Sequence, residues 1–323
     1  MSQPFEDLPT TPTAEELVDQ AFSRAARAGR AKSGVEAQQS MLLTAANVLS
    51  DNLERVVQTW PDLDRLDPFY RDLAEAVAGV DALRRHLNEV DWAGRKAGEI
   101  RQEYDRRLGD PDTARKLRKQ AFARMADVVE EVEEDLAALS EAREELRRLP
   151  EIRPDEPAVV VAGSPNVGKS TFVNRVTRAD NETATYPFTT TRIHVGHLTR
   201  DRIRYQLVDT PGLLDRPPEE RNAVESQAVS ALEHAADAVL VLVDPTGDCG
   251  FPIADQWDLH ADITARFDVP AVTAATMRDR LDADTDDARI DHHVSLTTGQ
   301  GVDDLVDAVV AAVGYEPELP FDG

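Results

Sequence analysis

The stretch GSPNVGKST at residues 163–171 combines glycines, a lysine and a serine at a spacing that suits nucleotide phosphates. From Gly163 to Ser170 it fits the phosphate-loop pattern, in which four residues separate two glycines and Lys-Ser follows. In that pattern backbone N–H groups surround the β-phosphate, Lys169 contacts the β and γ oxygens, and the Ser170 hydroxyl binds Mg²⁺. The predicted nucleotide-binding residues of this loop are Asn166, Val167, Gly168, Lys169, Ser170 and Thr171.

The stretch DTPG at residues 209–212 ends the run IRYQLVD, about 40 residues after the phosphate loop. An acidic residue at the end of this predicted strand can reach the magnesium shell, so Asp209 is predicted to hold Mg²⁺ through water. The Gly212 N–H is predicted to contact the γ-phosphate. Leu213 stands where a glutamine could orient the attacking water.

The stretch YPFTTT at residues 186–191 lies between these two motifs. A threonine in such a segment binds Mg²⁺ only while the γ-phosphate is present, and we favour Thr190, with Thr189 next. The alternative is a solvent-facing turn with ordinary hydroxyls. The predicted magnesium ligands are Ser170, Thr190 and Asp209. The predicted catalytic residues are Lys169, Thr190 and Gly212.

The residues that would select the base depart from the usual pattern. Where Asn-Lys-x-Asp is expected, residues 276–279 read TMRD. Asp279 can still accept hydrogen bonds from guanine N1 and N2, which adenine cannot supply, but Thr276 is too short to replace the asparagine. In the later stretch SLTTGQG at 295–301, Ser295 and the Leu296 N–H are further candidates, the latter for guanine O6. The sequence predicts a preference for guanine and leaves open whether TMRD still enforces it strictly.

Short β-branched runs would position these motifs in the second half of the chain. The runs occur at 158–163, 203–209, 238–244 and 269–275, and helical stretches follow at 222–235, 253–266 and 301–313. Strands that alternate with helices predict a mostly parallel sheet with helices on both faces. The predicted fold class is therefore α/β, with a phosphate-loop domain at 158–315 and a short tail at 316–323.

The first 150 residues are predicted to be helical throughout. Capping-box patterns at Thr13–Glu16 and Ser33–Glu36 precede two helices, and Asp110-Pro111 is typical of a third helix start. The apolar residues between 125 and 149 keep steps of three, four or seven, which is the helical period. Residues 1–150 are predicted to form an all-α helical bundle, and the proline-rich segment at 151–157 a linker.

The composition is strongly acidic. Lys+Arg number 36 and Asp+Glu 61, for a formal charge of −25, and only five basic residues are lysine. This balance is typical of halophilic proteins dissolved in concentrated KCl; the alternative is an ordinary acidic cytosolic protein. An apolar fraction of 41 % excludes a wholly disordered chain, and the single cysteine excludes a Cys-rich zinc site. Because no membrane span or signal peptide is visible, we expect a cytoplasmic protein without a membrane partner.

Residues 84–124 reverse the acidic balance, with 12 basic residues against seven acidic ones. An island of positive charge in an acidic protein is a candidate RNA-facing surface. The alternative is a solvated helix surface with ion pairs between residues four apart. The RNA-facing candidates are Arg84, Arg85, Arg95, Lys96, Arg106, Arg107, Arg115, Lys116, Arg118 and Lys119.

Nearly the whole chain resembles a known family. In the second half the stretches are GSPNVGKSTFVNRVTRAD, YPFTT, HVGHL, YQLVDTPGLLDRP and DPTGDCGFP; in the first half they are LLTAANVLSDNLERVV, LDPFYRDL, VDWAGRKAGEIRQEY and EAREELRRLP. The second half resembles the Obg-like GTPases, and the chain as a whole resembles the archaeal branch of the nucleolar GTP-binding protein 1 family. TMRD is the departure from the family pattern.

The resemblance implies a GTPase, converting GTP to GDP and phosphate, that acts in assembly of the large ribosomal subunit, with its N-terminal helices against ribosomal RNA or its precursor. Slow intrinsic hydrolysis is implied, because the wider group shares a hydrophobic residue at the position of Leu213. Asn166 matches the asparagine that holds K⁺ in related potassium-dependent GTPases, so the expected cofactors are Mg²⁺ and, at Asn166, K⁺. Away from the ribosome we expect a monomer.

Two alternatives remain open at the level of sequence. An assembly scaffold that binds nucleotide with weak or absent turnover is favoured by TMRD. A phosphate-loop ATPase is the second alternative, and Asp279 argues against it.

Overall fold

A computed structural model describes residues 3–149, 151–177, 182–185, 192–215, 221–277, 279 and 287–315. The predicted magnesium ligand Thr190, its neighbour Thr189 and the predicted tail at 316–323 lie outside the described residues.

The chain divides into two compact units. One consists of Phe5–Arg65 and Ala78–Arg147, and the other of Met1–Pro4, Leu66–Val77 and Arg148–Gly323. A segment of the first half is thus grouped with the second half, whereas the sequence suggested one break near residue 150. The reason is local packing: the Tyr70 hydroxyl donates to the Ile152 carbonyl oxygen at 2.8 Å, and Ser230 donates to the Asp72 carboxylate at 3.0 Å.

In the described part of the first half, every regular secondary-structure element is a helix, as predicted. The helices are α1 (Ala14–Arg30), α2 (Gly34–Gln58), α3 (Pro68–Ala78), α4 (Val80–Asp105), α5 (Pro111–Glu131) and α6 (Glu133–Leu146). The Thr13–Glu16 capping box forms with both of its hydrogen bonds, and Asp110 caps α5 through the backbone N–H groups of residues 112 and 113. Ser33 is the N-cap of α2 but makes no capping hydrogen bond. The long predicted helix beyond residue 111 is interrupted at Val132.

The helical unit has its own apolar core. Leu42, Leu49 and Leu53 of α2 are fully buried, as are Ile100 of α4 and Met125 of α5. Helix α2 packs against α1, α4 and α5, so it is the central element of the unit. Burying such side chains contributes about 1.5–3 kcal/mol each, which stabilises the bundle without any ligand.

Within the described residues, the second unit is built on a sheet of seven strands. Its strands are β1 (Ala158–Ala162), β2 (Glu182–Thr185), β3 (Arg192–Arg200), β4 (Ile203–Asp209), β5 (Ala238–Val243), β6 (Ala271–Ala275) and β7 (His292–His293), in the order β2-β3-β4-β1-β5-β6-β7. Strands β4, β1, β5, β6 and β7 are parallel, and β2 and β3 form an antiparallel edge. The helices are α7 (Lys169–Val176), α8 (Ala223–Ala235), α9 (Ile253–Arg266) and α10 (Val302–Val313).

This arrangement confirms the predicted α/β class and places the motifs together. The central strands are buried on both faces, which requires helices on both sides of the sheet. The phosphate loop, DTPG and residues 276 and 277 follow the carboxyl ends of β1, β4 and β6. These strands run parallel, so their carboxyl ends lie at the same edge of the sheet. In open parallel sheets this edge is where ligands bind.

The predicted linker is bound to the sheet. The Gln206 side chain of β4 is fully buried, accepts from the Arg153 N–H at 2.8 Å, and donates to the carbonyl oxygens of Arg153 and Glu156. Residues 151–157 are therefore held at the strand that carries Asp209. None of the helices in the described part of the chain has the length and hydropathy of a membrane span.

Candidate nucleotide-binding site

The phosphate loop is shaped by a close approach between its first glycine and the sheet. Gly163 has a φ of 135°, and a Cβ placed there would lie 2.3 Å from the Leu242 carbonyl oxygen of β5. Gly168 has a φ of 104° and directly precedes α7. Both positions favour glycine, and they let the loop backbone turn tightly ahead of the N-terminus of α7.

Lys169 lies inside this loop with its ammonium group at the site. The side chain is 6 % exposed, and Nζ donates to the carbonyl oxygens of Gly163 at 2.8 Å and Ser164 at 3.0 Å. Burial lowers the pKa of Lys169, while the nearby carboxylates of Asp215 and Asp209 oppose that change. The loop therefore holds a cation where the predicted β- and γ-phosphates would bind.

Ser170 and Asp209, two of the predicted magnesium ligands, are in hydrogen-bond contact. The Ser170 hydroxyl donates to Asp209 Oδ2, while Asp209 Oδ1 is buried without a hydrogen-bond partner in the described part of the chain. Burial raises the pKa of Asp209, and the hydrogen bond from Ser170 opposes this. A buried oxygen without a donor suits a cation or the water bound to it, so these two residues fit Mg²⁺. Among the described residues no group of three His, Cys, Asp or Glu side chains forms a metal site.

An unpredicted residue, Asp215, connects Gly212 with Lys169. The Gly212 N–H donates to Asp215 Oδ2 at 2.8 Å, and the same oxygen lies 3.9 Å from Lys169 Nζ. Leu213 is 1 % exposed, so an apolar core side chain occupies the position where a glutamine could orient water. Asp215 was missed because nothing in the spacing of DTPGLLD indicates that its last residue turns back.

Two of the residues predicted to select the base, Asp279 and Ser295, are in contact. Ser295 Oγ donates to Asp279 Oδ1 at 2.7 Å, which orients the carboxylate. Thr276 is fully buried and its N–H donates to the Val243 carbonyl oxygen at 2.9 Å, so it belongs to the end of the sheet. Leu296 lies beside the phosphate loop, since a Cβ at Gly168 would come within 2.6 Å of its Cδ1.

Arg175 is a second residue that sequence reasoning missed. It lies on α7, and its Nη1 donates to the Leu296 carbonyl oxygen at 3.0 Å. This contact ties the loop at 295–301 to the helix that follows the phosphate loop. A guanidinium in an ordinary helical pattern carries no sequence signal for such a role.

The remaining loop residues divide by burial. Val167 is fully buried in the apolar core, so only its backbone can face a ligand, whereas Thr171 is exposed on α7. Asn166 is exposed with a φ of 64°, and its Nδ2 lies 3.4 Å from the Cys249 carbonyl oxygen. Its amide oxygen therefore stays available for a cation such as K⁺.

The basic residues at 84–124 separate into two sets in the helical unit. Arg84, Arg95, Lys96 and Arg107 make ion pairs with nearby carboxylates, and Arg118 donates to Gln38 across the bundle. The other predicted candidates are exposed and form no ion pair within the described residues; they are Arg85, Arg106, Arg115, Lys116 and Lys119.

Two families match the two halves of the chain. Residues 5–153 match the NOG1 N-terminal helical domain, and residues 158–274 match the 50S ribosome-binding GTPase family. An uncharacterized protein of Methanocaldococcus jannaschii, MJ1408, is 35 % identical over 293 residues, covering 87 % of this chain and 82 % of that protein. The nucleolar GTP-binding protein 1 of Drosophila melanogaster is 37 % identical over 220 residues, covering 67 % of this chain and 34 % of that protein.

The chain belongs to the nucleolar GTP-binding protein 1 family. The family relative from Caenorhabditis elegans is 33 % identical over 276 residues, covering 81 % of this chain and 40 % of its own length. The match thus spans well under half of these two animal relatives. A crystal structure described as a nucleolar GTP-binding protein 1 of Plasmodium falciparum is 31 % identical, with a TM-score of 0.45, over 51 % of this chain and 90 % of that one. Residues 158–274, which include the phosphate loop and Asp209, are a GTPase-family domain.

Proposed function

We propose that this protein binds GTP and hydrolyses it slowly, as a switch in assembly of the large ribosomal subunit. The observation that carries the proposal is the meeting of Lys169, Ser170, Asp209 and Gly212 at the edge of the sheet that also holds Asp279. Family membership and the matched name, 50S ribosome-binding GTPase, support the ribosomal role.

In this proposal Lys169 binds the β- and γ-phosphates, and Mg²⁺ is held by Ser170, by Asp209 through water and by Thr190. When bound, Mg²⁺ neutralises charge that develops on the phosphates. Gly212 contacts the γ-phosphate, so loss of that phosphate frees the DTPG segment. Asn166 offers its amide oxygen to K⁺, which can stabilise charge between the β- and γ-phosphates as an arginine side chain would.

Slow turnover follows from the buried Leu213, which has no group to orient water. We propose that contact with the ribosomal subunit completes the water site, and that the exposed basic residues of the helical unit face ribosomal RNA. The protein is proposed to be a cytoplasmic monomer away from the ribosome, and its acidic surface to be an adaptation to concentrated KCl.

The test has two arms, both in concentrated KCl with Mg²⁺. Titration with GDP, GTP, ADP and ATP should give guanine affinity at least about tenfold above adenine affinity, a difference of about 1.4 kcal/mol. GTP turnover should then rise when purified large ribosomal subunits are added, and not when small subunits are added. Turnover that is equal with either subunit would contradict the switch.

A second function, a nucleotide-binding assembly scaffold with weak or absent turnover, is favoured by one observation. Thr276 and Met277 stand where the usual pattern has Asn and Lys. The Thr276 N–H donates to the Val243 carbonyl oxygen of the sheet, and Met277 adopts a φ of 60°. Equal binding of guanine and adenine nucleotides, with no ribosomal stimulation, would favour the scaffold.

A further inference from the structure

The two groups that would bind a γ-phosphate are both engaged by one carboxylate. Asp215 Oδ2 accepts the Gly212 N–H at 2.8 Å and lies 3.9 Å from Lys169 Nζ. Neither the phosphate-loop pattern nor DTPG includes Asp215, and its position is therefore a property of this fold rather than of either motif.

A carboxylate and a terminal phosphate have the same requirements at this position. Both are anions with oxygen acceptors, and both are best bound by a backbone N–H together with an ammonium group. The Asp215 side chain is 11 % exposed and that of Lys169 is 6 % exposed, so water screens their attraction only weakly. A γ-phosphate that binds the Gly212 N–H would have to replace Asp215 Oδ2 as its acceptor.

We propose that Asp215 stands in for the γ-phosphate and makes the protein discriminate against nucleoside triphosphate. The inference rests on the proposed function, because it assumes that nucleotide binds at Lys169 and Gly212. It adds a residue that sets the preference between GDP and GTP.

The discrimination follows from what each ligand must displace. GDP has no γ-phosphate, so it can bind while Asp215 stays on Gly212. GTP must break that contact, and the lost interaction subtracts from its affinity alone, since a ligand shifts an equilibrium only by its differential affinity. The contacts of Lys169 with Gly163 and Ser164 differ in this respect, because the β-phosphate of either nucleotide competes for Lys169.

The experiment compares Asp215→Ala and Asp215→Asn with the wild-type chain. Dissociation constants for GDP and for the slowly hydrolysed analogue GMPPNP are measured with Mg²⁺ in concentrated KCl. In Asp215→Ala, the GMPPNP constant divided by the GDP constant should fall about tenfold, the size of one charge-assisted hydrogen bond. Asp215→Asn should shift it in the same direction by less, because its amide oxygen still accepts from Gly212 without charge.

Asp201→Asn is the matched control. Asp201 is an exposed carboxylate in the turn between β3 and β4, at the opposite end of β4 from Asp209, and its φ of 51° is one that asparagine adopts readily. The control removes one negative charge from the same unit and should leave the ratio unchanged. A ratio that is unchanged or raised in the folded Asp215 variants would overturn the inference.

Hydrogen exchange at the Gly212 amide gives a readout that needs no nucleotide. In the nucleotide-free chain, Asp215→Ala should exchange this proton faster than the wild type, and GMPPNP should restore protection. Equal exchange in both nucleotide-free proteins would overturn the inference. If exchange at Gly212 is faster in Asp215→Ala but the wild type binds no guanine nucleotide, the proposed function is wrong. The proposed competition between Asp215 and the γ-phosphate is then wrong as well. If binding is intact and only the ratio is unchanged, Asp215 alone is excluded.

Discussion

Among the single side chains at the edge of the sheet, Asp279 is the one to which the proposed function assigns base selection. Its carboxylate is oriented by Ser295 at 2.7 Å and faces the loop that also carries Leu296. Because an aspartate can accept from guanine N1 and N2 together, it can reject adenine by leaving acceptors unpaired.

Asp279→Ala should therefore lower the preference for GDP over ADP by about tenfold or more, a loss of about 1–3 kcal/mol. Competition binding of the two diphosphates measures the change directly. Ser295→Ala should act in the same direction with a smaller effect, since it only orients the carboxylate. A preference that Asp279→Ala does not alter would show that the base is selected elsewhere.

The buried Asp209 carboxylate should reduce the stability of the fold while no cation is bound to it. Because burial raises its pKa, the folded chain binds the Asp209 proton more tightly than the unfolded chain does. The resulting cost is absent at low pH and grows as pH rises above the ordinary carboxyl value through the raised pKa. It is therefore larger at neutral pH than at pH 4 when Mg²⁺ is absent.

Asp209→Asn should stabilise the nucleotide-free, Mg²⁺-free chain at neutral pH by about 1 kcal/mol, because the buried charge is removed. The same variant should lose most of the Mg²⁺ dependence of GTP binding. Thermal unfolding without nucleotide or Mg²⁺ measures the change in stability. Titration with GTP, with and without Mg²⁺, measures the change in Mg²⁺ dependence. A variant less stable than the wild type would mean that the Ser170 contact outweighs the cost of burial.

At the scale of the elements, the contact between α9 and β6 should make the stability of the fold depend on pH. His260 of α9 lies 2.8 Å from the Thr273 hydroxyl, and its pKa is lowered by burial and by Arg289. The folded state therefore resists protonation of this ring. Stability should be lost as pH falls from the ordinary histidine value of 6.5 through the lowered pKa.

His260→Gln should reduce the acid loss of unfolding free energy by about 0.5 kcal/mol, since an amide can keep the hydroxyl contact without titrating. Denaturant unfolding at pH 7 and pH 5 measures it. His197, whose pKa is also lowered by burial, should account for part of the remaining loss. The idea fails if the variant loses as much stability between the two pH values as the wild type.

Elements with strong local signals could be read from the sequence, and those fixed by partners could not. The capping box at Thr13 and the apolar runs of β1 and β5 are local patterns that predict a helix start and two buried strands, and the structure has all three. Strands β2 and β3 were not predicted, because a hairpin of polar and small residues such as ETAT lacks an apolar pattern. The break at Val132 and the grouping of α3 with the sheet unit depend on packing, which periodicity does not report.

The candidate site divides in the same way. Lys169, Ser170, Asp209 and Asp279 belong to short motifs whose spacing carries the chemistry, and the structure brings the first three together around the loop. Asp215 and Arg175 act through contacts between segments that are far apart or turn back on themselves. Thr190, also taken from a motif, stays a prediction.

Across the molecule, a charge of −25 makes local exceptions informative. The exposed residues Arg115, Lys116 and Lys119 lie on the first turns of α5, within one helical face, and form no ion pair in the described part of the chain. They are the part of the basic island best suited to phosphate contacts.

Replacing Arg115, Lys116 and Lys119 with glutamine should weaken binding to large-subunit ribosomal RNA and lower the slope of log affinity against log salt by about 2–3. Filter binding at several KCl concentrations measures both. The matched control replaces Arg84, Arg95 and Lys96, whose charges are already paired, and should change the slope less. Equal slopes for both triple variants would place the RNA contact elsewhere.

Lys169 has one more consequence, which concerns proteolysis. From residue 120 to the last residue it is the sole lysine, and its side chain lies inside the phosphate loop. A lysine-specific endoprotease therefore has a single cleavable bond in that whole stretch, Lys169–Ser170, and it lies within a structured turn. A cut at this bond requires the loop to open, so the rate at which the fragment 170–323 appears reports how readily the loop opens, without any label.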